Sequence, residues 1–95
     1  MEGESVPDGS LTAVTAPPKS LPGIPTARRV RAKTAVKGTG LLRRRWQTKD
    51  GAIYEWDYQH GAVEKYNKRG VHEGEFDGNT GEQTGPAIPT RRIKP

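Results

Sequence analysis

Apolar and polar positions change rhythm several times along this chain. From 1 to 26 the apolar residues stand singly among breakers, with PDGS, APPKS and LPGIP placing Pro or Gly every few positions. Such spacing forbids a helix and favours extended or turn backbone. Residues 1–26 are therefore expected to form a flexible, disordered Pro/Gly-rich linker, mobile over most of 1–18, with Leu21, Ile24 and Pro25 laying a little apolar surface on the folded part. In 27–37 (ARRVRAKTAVK), Val30, Ala32, Ala35 and Val36 fit neither a helical nor a strand period. This stretch is read as a basic arm, 27–42, that is either a short helix or extended, and Gly38-Thr39-Gly40 ends it.

From Leu41 onward β-favouring residues alternate with turn signals about every ten positions, the spacing of an antiparallel meander. Leu41–Gln47 is one expected strand, and Lys49-Asp50-Gly51 is a hairpin turn of the Asp-Gly type. Ala52–Asp57 follows, rich in Ile53, Tyr54 and Trp56. Ala62–Asn67 and Val71–Phe76 come next, joined by Lys68-Arg69-Gly70, and Asp77–Gly81 turns into a short strand at Glu82–Thr84. Pro86 and Pro89 leave an extended tail that pairs at an edge near Arg92-Ile93. The expected fold is mainly β: a small, highly twisted antiparallel sheet of four to five strands over 43–95, preceded by the arm and the linker.

Composition limits how large this fold can be. Hydrophobic residues make up 31% of 95 positions, so the core is small. Cysteine is absent, which removes disulfides and Cys-based zinc sites as staples. No apolar run approaches the roughly 18 residues of a membrane span, so no membrane insertion is expected of this segment. The net charge of +5 is unevenly spread: 27–49 carries nine bases and no acid, 50–84 carries eight acids against Lys65, Lys68 and Arg69, and the tail carries Arg91, Arg92 and Lys94. Local acids inside a basic frame suit a protein that holds a polyanion and works on it by proton transfer.

The candidate chemistry lies in IYEWDYQHGAVEKY, 53–66, which gathers Asp57, His60, Glu64 and four aromatic side chains into fourteen residues. On a helix the three ionisable groups would share one face; Gly61 and the β-rich flanks favour strand–turn–strand instead, with Tyr58–Gly61 as the connection. Two carboxylates and an imidazole in one pocket provide a general acid and base for RNA transesterification. Arginine supplies cationic donors for the phosphorane. The plainer alternative is a surface ion pair. A divalent metal site is disfavoured, because the cluster holds one His and its spacing matches no strong metal motif; no metal or other cofactor is expected. Trp46, Trp56, Tyr54 and Tyr66 suit a core, Tyr58 on the loop suits base stacking, and Arg43, Arg44 and Arg45 suit either a solvated face or a phosphate track. His72 is read as structural or substrate-contacting.

RRRWQTKDGAIYEWDYQHGAVEKY, followed by GVHEGEFDGNTGEQTGP and a basic tail, resembles the cytotoxic domain of the ribosome-inactivating ribonuclease colicins, from about Arg43 to Ile93 with a weaker echo in LPGIP. The resemblance implies a twisted antiparallel sheet with a short N-terminal helix. It also implies a metal-independent endoribonuclease that cuts one bond of small-subunit (16S) ribosomal RNA at the decoding A site and stops translation. By the same resemblance Glu64 is the general base, His60 the general acid, Asp57 orients the imidazole, and Arg91 stabilises the transition-state phosphate. Tyr66 stands beside the site, and Tyr58, Tyr66, Arg43, Arg44, Arg45 and Arg92 are expected to bind substrate.

The implied partners are the ribosomal small subunit and an acidic immunity protein, with no homo-oligomer. The implied setting is a secreted or cell-surface-delivered toxin, of colicin, pyocin or contact-dependent inhibition type, acting in the cytoplasm of the target bacterium. The chain departs from the pattern in its longer, less Gly-rich arm, in Leu41-Leu42 before the first strand, and in a tail that ends soon after Arg91-Arg92-Ile93. Translocation and receptor-binding domains are not in the sequence, so it is read as the tip of a modular toxin. The alternatives are a toxin nuclease acting on tRNA or DNA and a non-catalytic RNA- or ribosome-binding module.

Overall fold

The computed structural model describes residues 15–95. Among them, six strands form one antiparallel sheet: β1 (Arg28–Val30), β2 (Arg45–Gln47), β3 (Ile53–Asp57), β4 (Ala62–Tyr66), β5 (His72–Phe76) and β6 (Gln83–Gly85). Their order in the sheet is their order in sequence, β1-β2-β3-β4-β5-β6. Short polar turns make this possible. Asn67 Oδ1 accepts the N–H groups of Arg69 and Val71 between β4 and β5, and Asp77 Oδ1 accepts those of Asn79 and Thr80 between β5 and β6. Each side chain thus substitutes for a backbone partner at the reversal.

Strand alternation sorts the sheet into two unlike faces. Trp46, Tyr54, Trp56 and Val63 lie on one face and build the core with Leu21 and Ala52, and Phe76, Ile24, Ala27 and Tyr58 pack against them. The other face receives Arg45, Glu55, Asp57, Glu64 and His72, all buried. Glu55 lies opposite Arg45 on β2 and opposite Glu64 on β4. Arg45 donates to Glu55 Oε2 through Nε (3.1 Å) and Nη2 (2.8 Å), and Thr34 Oγ1 donates to the same oxygen at 2.6 Å. A buried carboxylate on a central strand is tolerable only with such partners.

Three expectations for the N-terminal half differ from what is observed. The described residues contain no helix, and the arm instead supplies a sixth strand, β1, paired with β2 from Arg28↔Gln47 to Val30↔Arg45. Three residues without periodicity become a strand because β2 offers them an unpaired backbone edge. The strand expected at Leu41–Gln47 is regular only over Arg45–Gln47, while Leu42 pairs with Ala35 in an isolated bridge. The linker expected over 1–26 falls outside the described residues up to position 14. From Thr15 on it lies against the sheet, with Leu21 only 2% exposed, so packing is unbroken across position 26. Gly23 N–H donates to Gly78 O at 2.9 Å, and a Cβ on Gly23 would collide with the backbone of Gly81. That close approach explains why a glycine stands there.

The tail returns to the sheet as its sequence suggests. Val71 and Arg92 form a bridge, His72 N–H donates to Arg91 O (3.0 Å), and Ile93 N–H donates to Gly70 O (2.9 Å). Arg45 Nη2 also donates to Lys94 O at 2.8 Å, which fastens the tail across the polar face.

Candidate active site

Asp57 closes β3 and organises the connection to β4. Its Oδ1 accepts the N–H groups of Gln59 (2.9 Å) and His60 (3.2 Å), and Gly61 N–H donates to Asp57 O at 2.9 Å. Gly61 completes the reversal at φ +65°, a conformation that costs an L side chain energy and glycine little. This tight loop returns the His60 ring over the strand end it left: His60 Nδ1 lies 2.9 Å from Asp57 Oδ2, and the ring is 62% exposed. The strand–turn–strand placement expected from the β-rich flanks is the one observed.

Glu64 faces the same pocket from the middle of β4 and is 3% exposed. Its Oε1 lies 2.7 Å from His72 Nε2 and 3.6 Å from Arg91 Nη1. His72 reaches Glu64 through a bulge. The β4–β5 register runs Glu64↔Glu75 and Lys65↔Gly74, then shifts to Tyr66↔His72. The extra residue reverses the parity of β5, so His72 and Glu75, which an unbroken strand would point to opposite faces, both face Glu64. His72 Nδ1 accepts Ile88 N–H at 3.0 Å, which leaves the ring proton on Nε2, donated to Glu64. The tail bond to His72 N–H brings the Arg91 guanidinium over the Tyr66 ring, 5.9 Å from its centre.

The two acids are driven apart in proton affinity. Burial alone would raise Asp57, but the N–H groups of His60 and Gln59 and the imidazole outweigh it and hold the carboxyl below its ordinary value. Burial pushes Glu64 up; the bond from His72 and the charge of Arg91 oppose this, and the neighbouring Asp57 carboxyl adds to the rise. Asp57 thus stays ionised beside the imidazole, while Glu64 holds its proton to higher pH than an ordinary carboxyl. Burial also raises Tyr66, which stays a neutral phenol beneath Arg91.

Of the residues expected at the site, Asp57, His60, Glu64, Arg91 and Tyr66 converge, and Tyr66 is 1% exposed beneath the guanidinium. Others lie elsewhere. Arg45 is buried in its pair with Glu55, Arg43 donates to Trp56 O (3.0 Å) and Arg44 to Pro18 O (2.9 Å). Substrate contact expected of Arg45 therefore gives way to a role in the sheet, since its donors face Glu55, Thr34 and Lys94 O. Tyr58 packs against the apolar core, and Arg92 is exposed beside the site arginine.

Sequence reasoning missed Glu75. Its Oε2 lies 3.2 Å from His60 Nδ1, and one donor atom from each of Asp57, His60, Glu64 and Glu75 falls within 4.8 Å of the others. That spacing admits a cation, but the same atoms are engaged with one another, with His72 and with backbone N–H groups. The missing clue is the bulge, whose one local sign is Gly74 inside HEGEF, at φ +143° beside the register shift.

The family model described as Cytotoxic matches residues 15–94, nearly the whole described chain. The chain belongs to the Cytotoxic family. Similar members of this group include colicin E3 of Escherichia coli, 44% identical over 75 residues that make up 77% of this chain and 12% of the colicin. Cloacin of Escherichia coli is 40% identical over 78 residues, 80% of this chain and 14% of cloacin, and colicin-E6 of the same organism is 38% identical over an equal span. The Cytotoxic chain thus spans about one-eighth of the length of the relatives it matches. The match begins at residue 15, so the second part of the segment expected to be linker, 15–26, lies inside the Cytotoxic region, in keeping with buried Leu21.

Proposed function

We propose that this Cytotoxic chain is a toxin endoribonuclease that cuts small-subunit (16S) ribosomal RNA at the decoding A site by metal-independent transesterification and so inhibits translation. The observation that carries the chemistry is the separation of proton affinities between Asp57 and Glu64 beside an exposed imidazole. The ribosomal target rests on the family and on the resemblance to ribonuclease colicins.

In the reaction, Glu64 takes the proton of a 2′-hydroxyl. The 2′-oxygen attacks the adjacent phosphorus, and the bond from phosphorus to the 5′-oxygen breaks. His60, with Nδ1–H held by carboxylates, gives the Nε2 proton to the departing oxygen. The products are a 2′,3′-cyclic phosphate and a 5′-hydroxyl. Arg91, 3.6 Å from Glu64, is placed to neutralise the phosphorane. The side chains of Arg28, Arg29, Arg31 and Arg92 lie at the surface and suit the phosphate backbone. An acidic immunity protein would find the same basic frame, and delivery by a larger toxin suits a chain that matches only a small part of its relatives.

Intact ribosomes incubated with the protein in EDTA, with RNA ends mapped by primer extension, test this directly. The expected result is one new end near the 3′ end of the small-subunit RNA, formed orders of magnitude more slowly with His60→Ala or Glu64→Gln. Cleavage of tRNA or DNA without ribosomes would redirect the target. Salt-sensitive ribosome binding without any cleavage would make the chain a binding module.

A further inference from the structure

We propose that Glu75 is a positioning residue for His60, acting as a second carboxylate on Nδ1 that fixes the tautomer and aims Nε2 at the leaving group. This inference deepens the ribonuclease reading above and rests on it. Three contacts support the assignment. Glu75 Oε2 lies 3.2 Å from His60 Nδ1, close to the 2.9 Å of Asp57 Oδ2 on the same nitrogen. Thr84 Oγ1 donates to the other oxygen, Oε1, at 2.8 Å, so the carboxylate is held from behind by the residue that precedes its cross-strand partner. That partner is Gly85, where an added Cβ would come within 3.1 Å of Glu75 Cβ. The absence of a side chain there leaves Glu75 its place.

The chemical need is plain. His60 is 62% exposed, and the solvent side of the ring offers no packing to stop rotation. Asp57 Oδ2 alone is one acceptor at the ring's edge. A second carboxylate from β5 converts a single hydrogen bond into a two-sided clamp on Nδ1–H, and both partners repel an unprotonated Nδ1 lone pair. The proton that leaves must then be the one on Nε2. Asp57 comes from the end of β3 and Glu75 from β5, with β4 between them, so the sheet sets the angle of the clamp.

Two experiments read this role. In the first, ring ¹⁵N shifts of His60 report the tautomer of the neutral imidazole in the full chain. The wild type is expected to show Nδ1 protonated, and Glu75→Gln to move population toward the Nε2–H form that an unrestrained histidine prefers, with the thermal midpoint unchanged. In the second, ribosome cleavage is measured for wild type, Glu75→Gln, His60→Ala and the double variant. Glu75→Gln should lower kcat by about three- to tenfold with KM unchanged, the modest factor expected of a partly exposed pair. It should have no further effect once His60 is alanine. An unchanged tautomer in Glu75→Gln overturns the inference whether or not ribosomes are cleaved. A loss of rate that persists in full in the His60→Ala background also overturns it, because Glu75 would then act by another route. A tautomer shift on Glu75→Gln together with no cleavage by wild-type protein sinks the ribonuclease reading and leaves the clamp standing.

Discussion

His72 Nε2 donates to Glu64 Oε1 at 2.7 Å while its Nδ1 accepts Ile88 N–H at 3.0 Å, so a buried imidazole links the expected base to the chain that carries Arg91. Replacing His72 by alanine removes both bonds from a residue 3% exposed, leaving the Ile88 N–H unpaired and Glu64 with only the longer contact to Arg91. The expected loss is about 2–4 kcal/mol of stability. The His72 bond is also one of the influences that hold Glu64 down. Without it the carboxyl rises further, and the acidic limb of the pH–rate profile should move to higher pH. An unmoved limb in a folded His72→Gln protein would show that Glu64 does not titrate in that limb.

Glu64 itself predicts a trade between activity and stability. Because burial raises its carboxyl above the ordinary 4.5, the folded protein keeps this proton to higher pH than the unfolded chain does. The group therefore favours the fold most at pH below the unfolded value and loses that contribution as pH rises through the raised one. Glu64→Gln removes the titration. Its stability relative to wild type should improve from pH 4 to pH 7, while cleavage is lost. Urea denaturation at the two pH values measures the difference, and a constant offset would contradict the assigned direction.

The arginines divide by role. Arg45 is buried and holds Glu55, whose Oε1 has no partner among the described residues. Arg45→Ala should cost about 3–5 kcal/mol by stranding that charge, and an apolar pair at 45 and 55 should recover much of it. Arg91 is 38% exposed and reaches Glu64 only at 3.6 Å. Arg91→Ala should leave stability within about 1 kcal/mol of wild type and lower cleavage by about 100-fold or more. Denaturation and single-turnover rates on the two variants should therefore give opposite rankings.

Leu21 tests where the folded unit begins. A leucine 2% exposed against Trp46, Tyr54 and Trp56 should cost about 2–4 kcal/mol when replaced by alanine. A change below about 0.5 kcal/mol, the range of surface positions, would make 15–26 a removable strap.

The sequence announced what local chemistry decides. Asp50-Gly51, Lys68–Gly70 and Asp77–Gly81 are turn signals in their own right, and Tyr54 and Trp56 alternate with Glu55 and Asp57, so β3 to β6 were legible with ends shifted by a residue or so. The closeness of Asp57, His60 and Glu64 was legible for the same reason, since one short loop joins them. What depended on pairing was not. Arg28–Val30 has no pattern of its own and is a strand only because β2 lies beside it. Arg45 looked like the last member of a basic run, and its partner Glu55 became visible only through the β2–β3 register. Glu75 and His72 share a face through the shift after Lys65, a property of two strands together.

The order of the sheet has a bearing on how the site comes into being. Each strand finds its partner in the next stretch of chain, so the meander can zip from hairpin to hairpin with short loop closures, the kind of topology that folds quickly. The two ends are the exceptions: 15–26 reaches Gly78, and the tail returns to β5. Residues 91–93 must come back across more than one hairpin to reach Gly70 and His72. Proton-transfer groups are assembled by local events, whereas the guanidinium arrives with a long-range closure, so a refolding chain should regain its sheet before its rate of cleavage.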